Sequence, residues 1–385
     1  MSQLPTTADV VVIGGGVIGL TIARALALRG VSDVLLIERA RLGKEASSAA
    51  AGMLAPQAEA DCAGEFFNLC CQSRDMYPTF AAALREETGL DCELDRTGTL
   101  YLAFTERDQR EIELRHDWQV RAGLTVQKLT AIAARTLEPG ISESVRGALK
   151  FPSDIQVENR RLLSALIAAN EKLGVRLITG TTVESIRINR GSIEGVETSL
   201  GFVSAGKIVV SGGAWSSFIK VLNAASPNPR IEPVKGQMVC FDSTDSTPNI
   251  ARHVIYSPRG YLVPRRDGRI LAGSTTEHAG FDKEVTASGV HSILSNALEI
   301  SPRISDLPLT GVWAGLRPRA DDSLPVLGPC EEIRGLVFAT GHYRNGILLA
   351  PITGELIADA IVDNVVSPDL DAFSPNRFTG VGVNP

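Results

Sequence analysis

The stretch DVVVIGGGVIGLTIARALALRGVSDVLLIE, residues 9–38, decides the fold. Residues 9–13 form a short β-branched run of the kind buried on both faces of a parallel sheet. Gly14, Gly16 and Gly19 then give G-x-G-x-x-G. Ile18, Ile22, Ala25 and Leu26 recur at helical spacing to about Arg29, and Gly30 is placed to close the helix. A second apolar run, 34–37, stops at an acid, Glu38. Strand, glycine turn, helix, strand and acid fit within about 30 residues, the span of one dinucleotide-binding unit. Gly14 permits the tight turn, Gly16 lets a pyrophosphate approach the backbone, and Gly19 lets helix and strand pack closely. The helix start at Val17 and Ile18 offers free N–H groups to an anion. Glu38 suits ribose hydroxyls and favours a 2′-hydroxyl, while the adjacent Arg39 leaves a 2′-phosphate open. The fingerprint does not choose between a flavin and a nicotinamide.

Length and composition bound the rest. A chain of 385 residues is too long for one ordinary core, so two domains are expected. Apolar content of 44% with 21% charged residues is that of a soluble globular protein. A net charge of −6 argues against nucleic acid as a partner, since phosphate binding needs a basic surface. The six cysteines, at 62, 70, 71, 92, 240 and 330, include no C-x-x-C and no metal spacing with the five histidines. They read as reduced, mostly buried small hydrophobes, and no metal site is expected. The apolar start of the chain lacks a positive flank and is interrupted by Arg24, so neither a leader nor a membrane span is expected and the location reads as cytoplasmic.

The segment after Glu38, GKEASSAAAGMLAPQAE (43–59), is dense in Ser, Ala and Gly. Such a run is a slack linker, the start of a helix, or a place where backbone approaches something flat or charged. Together with VWAGLRPRADDSLPVLG (312–328) and ATGHYRNGILLAPITGELIAD (339–359), in that order, it resembles the FAD-dependent D-amino-acid oxidase superfamily, and within it the glycine-oxidizing, thiamine-pathway group. The likeness runs from about residue 9 to 363. It implies an α/β fold: a Rossmann-like FAD-binding domain with a parallel central sheet, plus an α+β substrate domain with a mixed or antiparallel sheet. The expected division is 1–84, 146–231 and 312–385 for FAD, with 85–145 and 232–311 for substrate. Residues 106–121 read as an amphipathic charged segment, helices are expected near 158–174 and 288–298, and ILLAPITGELIADAIV (347–362) reads as a further helix with Pro351 near its beginning.

The same resemblance implies site residues. The turn holding Ser47, Ser48, Ala50, Ala51, Gly52 and Met53 would lie against pyrophosphate and flavin, with both hydroxyls as donors. Val183 would meet adenine, and Ser211, Gly212 and Trp215 would lie near the dinucleotide. Arg344, Asn345, Gly346, Ile347 and Leu348 would line the flavin's pyrimidine edge, where a helix start favours negative charge. Arg317, in GLRP, would clamp a substrate carboxylate through its planar fork; Arg319, two residues on, is the alternative. Tyr261 would assist it, its alternative being a packing role. Met53, Ala55, Arg259 and Thr276 would complete the pocket. Arg259 and Thr276 depart from the histidine and methionine of the best-known type, which suggests a pocket more polar and roomier than glycine needs. FAD is expected to be non-covalent, because the cysteine some sarcosine oxidases use near GLRP is absent. The implied reaction is hydride transfer from Cα to flavin N5. The resulting imine hydrolyses to a 2-oxo acid and ammonia, and dioxygen restores the flavin with release of hydrogen peroxide. A quinone- or partner-linked dehydrogenase, or a flavoprotein subunit of a heteromeric amine or opine oxidase, would use the same fold. Relatives of this kind are often homo-tetramers.

Overall fold

The computed structural model describes residues 4–222, 227, 229–243 and 250–378. β1 (Thr7–Ile13), α1 (Val17–Leu28) and β2 (Val34–Glu38) form as the periodicity predicts. β1 runs parallel to β2 on one side and to the strand Gly201–Val210 on the other. Arg176–Thr179 extends the parallel set beyond β2, and Leu336–Thr340 lies parallel to Gly201–Val210. The strands Val183–Asn189 and Ser192–Thr198 attach as antiparallel neighbours, and Lys220–Leu222 and Val326–Pro329 complete the nine-stranded sheet. All five residues of β2 are buried, as a strand covered on both faces requires. On one face α1 packs with the helices Glu65–Thr88, Asn159–Lys172 and Ala350–Ala358 around a single apolar cluster.

A second, eight-stranded sheet runs in the order Leu309–Ala320, Ile231–Asp242, Arg269–Gly273, Gly260–Pro264, Val254–Ser257, Thr99–Ala103, Gly147–Phe151, Gln127–Thr130. Its neighbours are antiparallel except for Val254–Ser257 with Thr99–Ala103. The division read from the sequence needs correction at two places. Gly147–Phe151 pairs along its length with Thr99–Ala103, and Leu309–Ala320 with Ile231–Asp242, so both belong to the second sheet. The boundaries expected at 146 and 312 therefore lie inside or before strands of that sheet. Helix Ala287–Ile300 forms where expected, and the amphipathic charged segment is the helix Glu106–Arg121, opened by a Thr105–Asp108 capping box. The 24-residue helix Glu65–Thr88 was not anticipated; it carries Pro78 in its interior.

Candidate active site

The glycine turn is built by the absence of side chains. Gly14 has φ +108°, and a Cβ there would lie 2.5 Å from the Ser211 carbonyl oxygen. A Cβ on Gly19 would sit 1.9 Å from the carbonyl oxygen of Gly14, so α1 rests directly on the end of β1. Glu38 is buried, and its two oxygens accept from the Gly15 and Ala40 N–H groups, each at 2.8 Å. Ser47 Oγ accepts the Val17 N–H at 3.0 Å, so a residue thirty positions on caps the start of α1. Its hydroxyl proton is left for a further acceptor. Ser211 donates to the Ile13 carbonyl through both N and Oγ.

Between the two sheets lies a cleft enclosing about 1150 Å³, part of it open to solvent. One wall is Gly16, Val17, Ile18 and the segment 46–53; the other is Met238, Tyr261 and Arg317 of the second sheet. The segment 46–53 begins with one helical turn, Ala46–Ala49, and ends in the strand Met53–Leu54, paired with Ile155–Gln156. The helix-start alternative is thus also realised, within the cleft wall itself. The edge strand comes so close that a Cβ on Gly315 would meet Ala49 Cβ at 2.5 Å.

Arg317 faces this cleft. Its Nη2 donates to Ser274 Oγ at 2.7 Å and its Nη1 to the Thr275 carbonyl at 3.1 Å. Among the described residues no carboxylate lies within 4 Å of it. Gly236 makes room, since a Cβ there would strike the guanidinium at 2.3 Å. The strip supplying Ser274 and Thr275 is held by buried Lys235, whose Nζ lies 3.1 Å from Glu277 Oε2. Tyr261 is buried, with its phenol oxygen 3.2 Å from Met238 Sδ, and its ring stacks on Tyr256.

Arg344 lines the same cleft under different conditions. Its Nη2 donates to Tyr256 Oη at 3.1 Å and lies 3.5 Å from Glu59 Oε1. Glu59 drives its pKa further above the ordinary arginine range, and burial pushes the Tyr256 phenol up to about 12. The loop bearing Arg344, Asn345, Gly346 and Ile347 is pinned from below: Tyr77 donates to the Ile347 carbonyl, and Ser73 to that of Leu348 at 2.6 Å. His342 also borders the cleft, but burial alone depresses its pKa to about 3, so it is a neutral packing imidazole.

Several expected residues lie elsewhere. Arg259 does not enter the cleft: it pairs with Asp108 at 3.2 Å and Glu299 at 2.7 Å and covers the Phe104 ring. Thr276 is exposed and outside the lining; Ser274 and Thr275 hold the place next to Arg317. Ser48 donates to the Glu45 carbonyl within its own turn rather than into the cleft. Leu348 is buried in the core under the loop. Val183 and Gly212 do not line the cleft, Val183 packing with Ile13 and Ile37 beneath the sheet. Arg39 stacks on Trp215 at 3.8 Å, beyond the lining. Arg319 turns to Ser323 and Glu232, which leaves Arg317 as the cleft arginine of that strand. Met53 and Ala55 do line it. Glu59, Gly236, Met238 and Ser274 were missed, because only long-range pairing brings them there.

Comparison with known proteins gives a consistent picture. The family described as FAD dependent oxidoreductase (DAO) matches residues 9–360. The bifunctional protein ThiO/ThiG of Trichormus variabilis is 38% identical over 373 residues, 97% of this chain and 55% of that protein. The chain therefore spans about half the length of that relative. Glycine oxidase of Geobacillus kaustophilus is 37% identical over 377 residues, covering 97% of this chain and 98% of that one. The crystal structure of glycine oxidase from Geobacillus kaustophilus superposes with a TM-score of 0.91 at 35% identity, over 98% of this chain and 100% of that one.

Proposed function

The chain belongs to the DAO family of FAD dependent oxidoreductases, and from that premise we propose that it oxidises glycine and similarly small amino acids at the Cα–N bond. The observation that carries this reading is Arg317, a guanidinium that faces the cleft with neutral partners only. Its fork has charge to give to a carboxylate, and Ser274 and Thr275 already fix its plane. Tyr261, beside it, offers a phenol proton to the same carboxylate. The residues on the opposite wall suit FAD: a glycine turn without Cβ atoms, the capped start of α1, and N–H groups at Ala51 and Gly52 with no acceptor among the described residues. When bound, FAD would supply the redox chemistry, as acceptor of a hydride from Cα and donor of two electrons to dioxygen, which would leave as hydrogen peroxide. Arg317 and Tyr261 hold the amino acid with its Cα toward that wall, and Met53 and Met238 keep the space between apolar. The imine so formed hydrolyses to glyoxylate and ammonia. No general base is needed if the amine enters neutral. Among the described residues no cysteine lines the cleft, and buried Cys330 lies outside it, in keeping with non-covalent FAD. Because Arg259 and Thr276 lie outside the cleft, they give no reason to prefer a substrate larger than glycine.

The test is anaerobic bleaching of the yellow holoprotein by glycine, sarcosine, D-alanine and D-proline, followed by a peroxide assay in air. Bleaching by glycine with stoichiometric peroxide is expected. Bleaching without peroxide would turn the reading toward a dehydrogenase, and no bleaching by any amino acid would end it.

A further inference from the structure

Arg265 is a buried guanidinium that contacts the cleft wall and that substrate binding does not use. It follows the strand Gly260–Pro264, is 8% exposed, and reaches back under the segment 46–53. Its Nη2 donates to the Ala51 carbonyl at 2.6 Å and to Asn159 Oδ1 at 3.3 Å; its Nη1 donates to the Val157 carbonyl at 2.9 Å and to Gln156 Oε1 at 3.1 Å. All four acceptors are neutral, and Nε is buried without a partner among the described residues. Glu158 and Asp267 act on it only at longer range, and both pair with Arg269. Burial lowers its pKa to about 10, so it stays cationic at neutral pH.

What Arg265 holds is polarised. The carbonyls of Ser47, Ser48, Ala49, Ala51 and Gly52 are each taken from behind, by Asn159 Nδ2, Arg160 Nε, Trp313 Nε1, Arg265 Nη2 and the Val157 N–H. The N–H groups of Ala51 and Gly52 have no acceptor among the described residues, and both residues line the cleft. The wall thus presents donors to the cleft, with a positive charge behind it that pairs directly with no carboxylate among the described residues.

The geometry points to Arg265 as a positioning residue that tunes the redox balance of the site: it fixes the Ala51–Gly52 donors toward the cleft and, with its own charge, favours the reduced flavin over the oxidised one. This rests on the reading that FAD occupies the cleft. Hydride transfer brings two electrons and one proton, so the ring system gains one unit of negative charge. A buried cation with no carboxylate in direct contact, whose acid neighbours act only at longer range, interacts more favourably with that state.

The experiment is the midpoint potential of the FAD-loaded full chain, by equilibration with a reference dye, in wild type, R265M, R265K and R266M. R265M is expected to lose about tenfold in preference for reduced over oxidised flavin, which is about 30 mV for a two-electron couple. R265K keeps the charge and is expected to stay within about threefold of wild type. R266M removes an exposed neighbour paired with Asp91 and is expected to leave the potential unchanged. A flavin-loaded R265M at the wild-type potential would overturn the inference while leaving the cofactor reading intact. Should R265M fail to fold, a tenfold loss in R265K overturns it equally, since the charge is then not what acts. A wild-type chain that takes up no flavin would end the cofactor reading and the inference with it.

Discussion

The wall carried on the turn of Gly14, Gly16 and Gly19 suits its ligand by what is missing, whereas the wall of Arg317 and Tyr261 suits it by what is present. On the first, carboxylate and hydroxyl groups are turned inward on the backbone: Glu38 onto Gly15 and Ala40, Ser47 onto Val17. What remains facing the cleft is mostly backbone, suited to a pyrophosphate or a ring edge whatever chemistry follows. On the second, charged and phenolic groups project from strands and are held by neighbours such as Lys235 and Glu277. A wall made of backbone tolerates no added atom. A wall made of side chains tolerates substitution but changes what it recognises. The two should therefore fail separately.

The sharpest way to break the first wall is Gly19→Ala. The new Cβ would lie 1.9 Å from a backbone oxygen that no rotamer change can move. The strain falls at or above the usual 1–3 kcal/mol for overpacking. FAD affinity should drop by about 10³-fold, roughly 4 kcal/mol, read by flavin fluorescence on titration. Retention of FAD at wild-type affinity would mean that the turn does not touch the cofactor.

Arg317→Met breaks the second wall and should leave the first standing. FAD binding should be unchanged, while kcat/KM for glycine falls about 10²-fold, roughly 3 kcal/mol, as expected when one side of a hydrogen-bonded charge pair is lost. The loss should appear mainly in KM. A fall in FAD affinity of the same size would show that the walls are not independent.

How far each wall could be read from the sequence follows from the same contrast. The glycine wall is local: strand, turn, helix and acid lie within one short stretch, and hydrophobic period plus glycine spacing is enough to find them. In the second wall, alternation along a strand tells which face a residue takes but not how far along the sheet a ligand lies. Arg317 and Arg319 alternate alike, yet only Arg317 reaches the cleft. Arg259 was misplaced because its partners, Asp108 and Glu299, are remote in sequence, and no local signal announces an ion pair across such a distance. Thr276 fell outside by one or two residues, in an irregular strip where period two carries no register. Arg265 left no local trace, since its acceptors are oxygens contributed from 51 and from 156–159.

The walls are joined through the short helix Pro56–Glu59, and a buried acid sits beneath it. Asp154 is fully buried and accepts the N–H groups of Gln57 and Ala58. Burial raises its pKa to about 7, against the pull of Arg74. The unfolded chain releases this proton near pH 4 and the folded protein near pH 7, so the contribution to stability is full below pH 4 and is lost as pH rises toward 7. Asp154→Asn should flatten that slope. The difference expected between pH 5 and 7 is on the order of 2 kcal/mol, measured by urea unfolding at each pH. An unchanged slope in the variant would mean that Asp154 titrates as an ordinary carboxyl.

The smallest expected effect is at the rim, where Glu59, from the first wall's continuation, meets Arg344 of the carboxyl-terminal loop. At 3.5 Å with partial exposure the pair is a weak one, and its main consequence is that the rim carries little net charge. Arg317, deeper in, then remains the cation that a carboxylate finds without a competing acid beside it. Glu59→Gln frees Arg344 as a second cation near the entrance. Glycine, with one carboxylate already engaged by Arg317, should lose little. An N-carboxymethyl glycine, with a second carboxylate, should gain about tenfold in kcat/KM, roughly 1.4 kcal/mol, and the gain should shrink as salt rises. Equal changes for the two substrates would place Glu59 in the support of the loop rather than in selection at the rim, and the division between a backbone wall and a recognising wall would then end at Arg317.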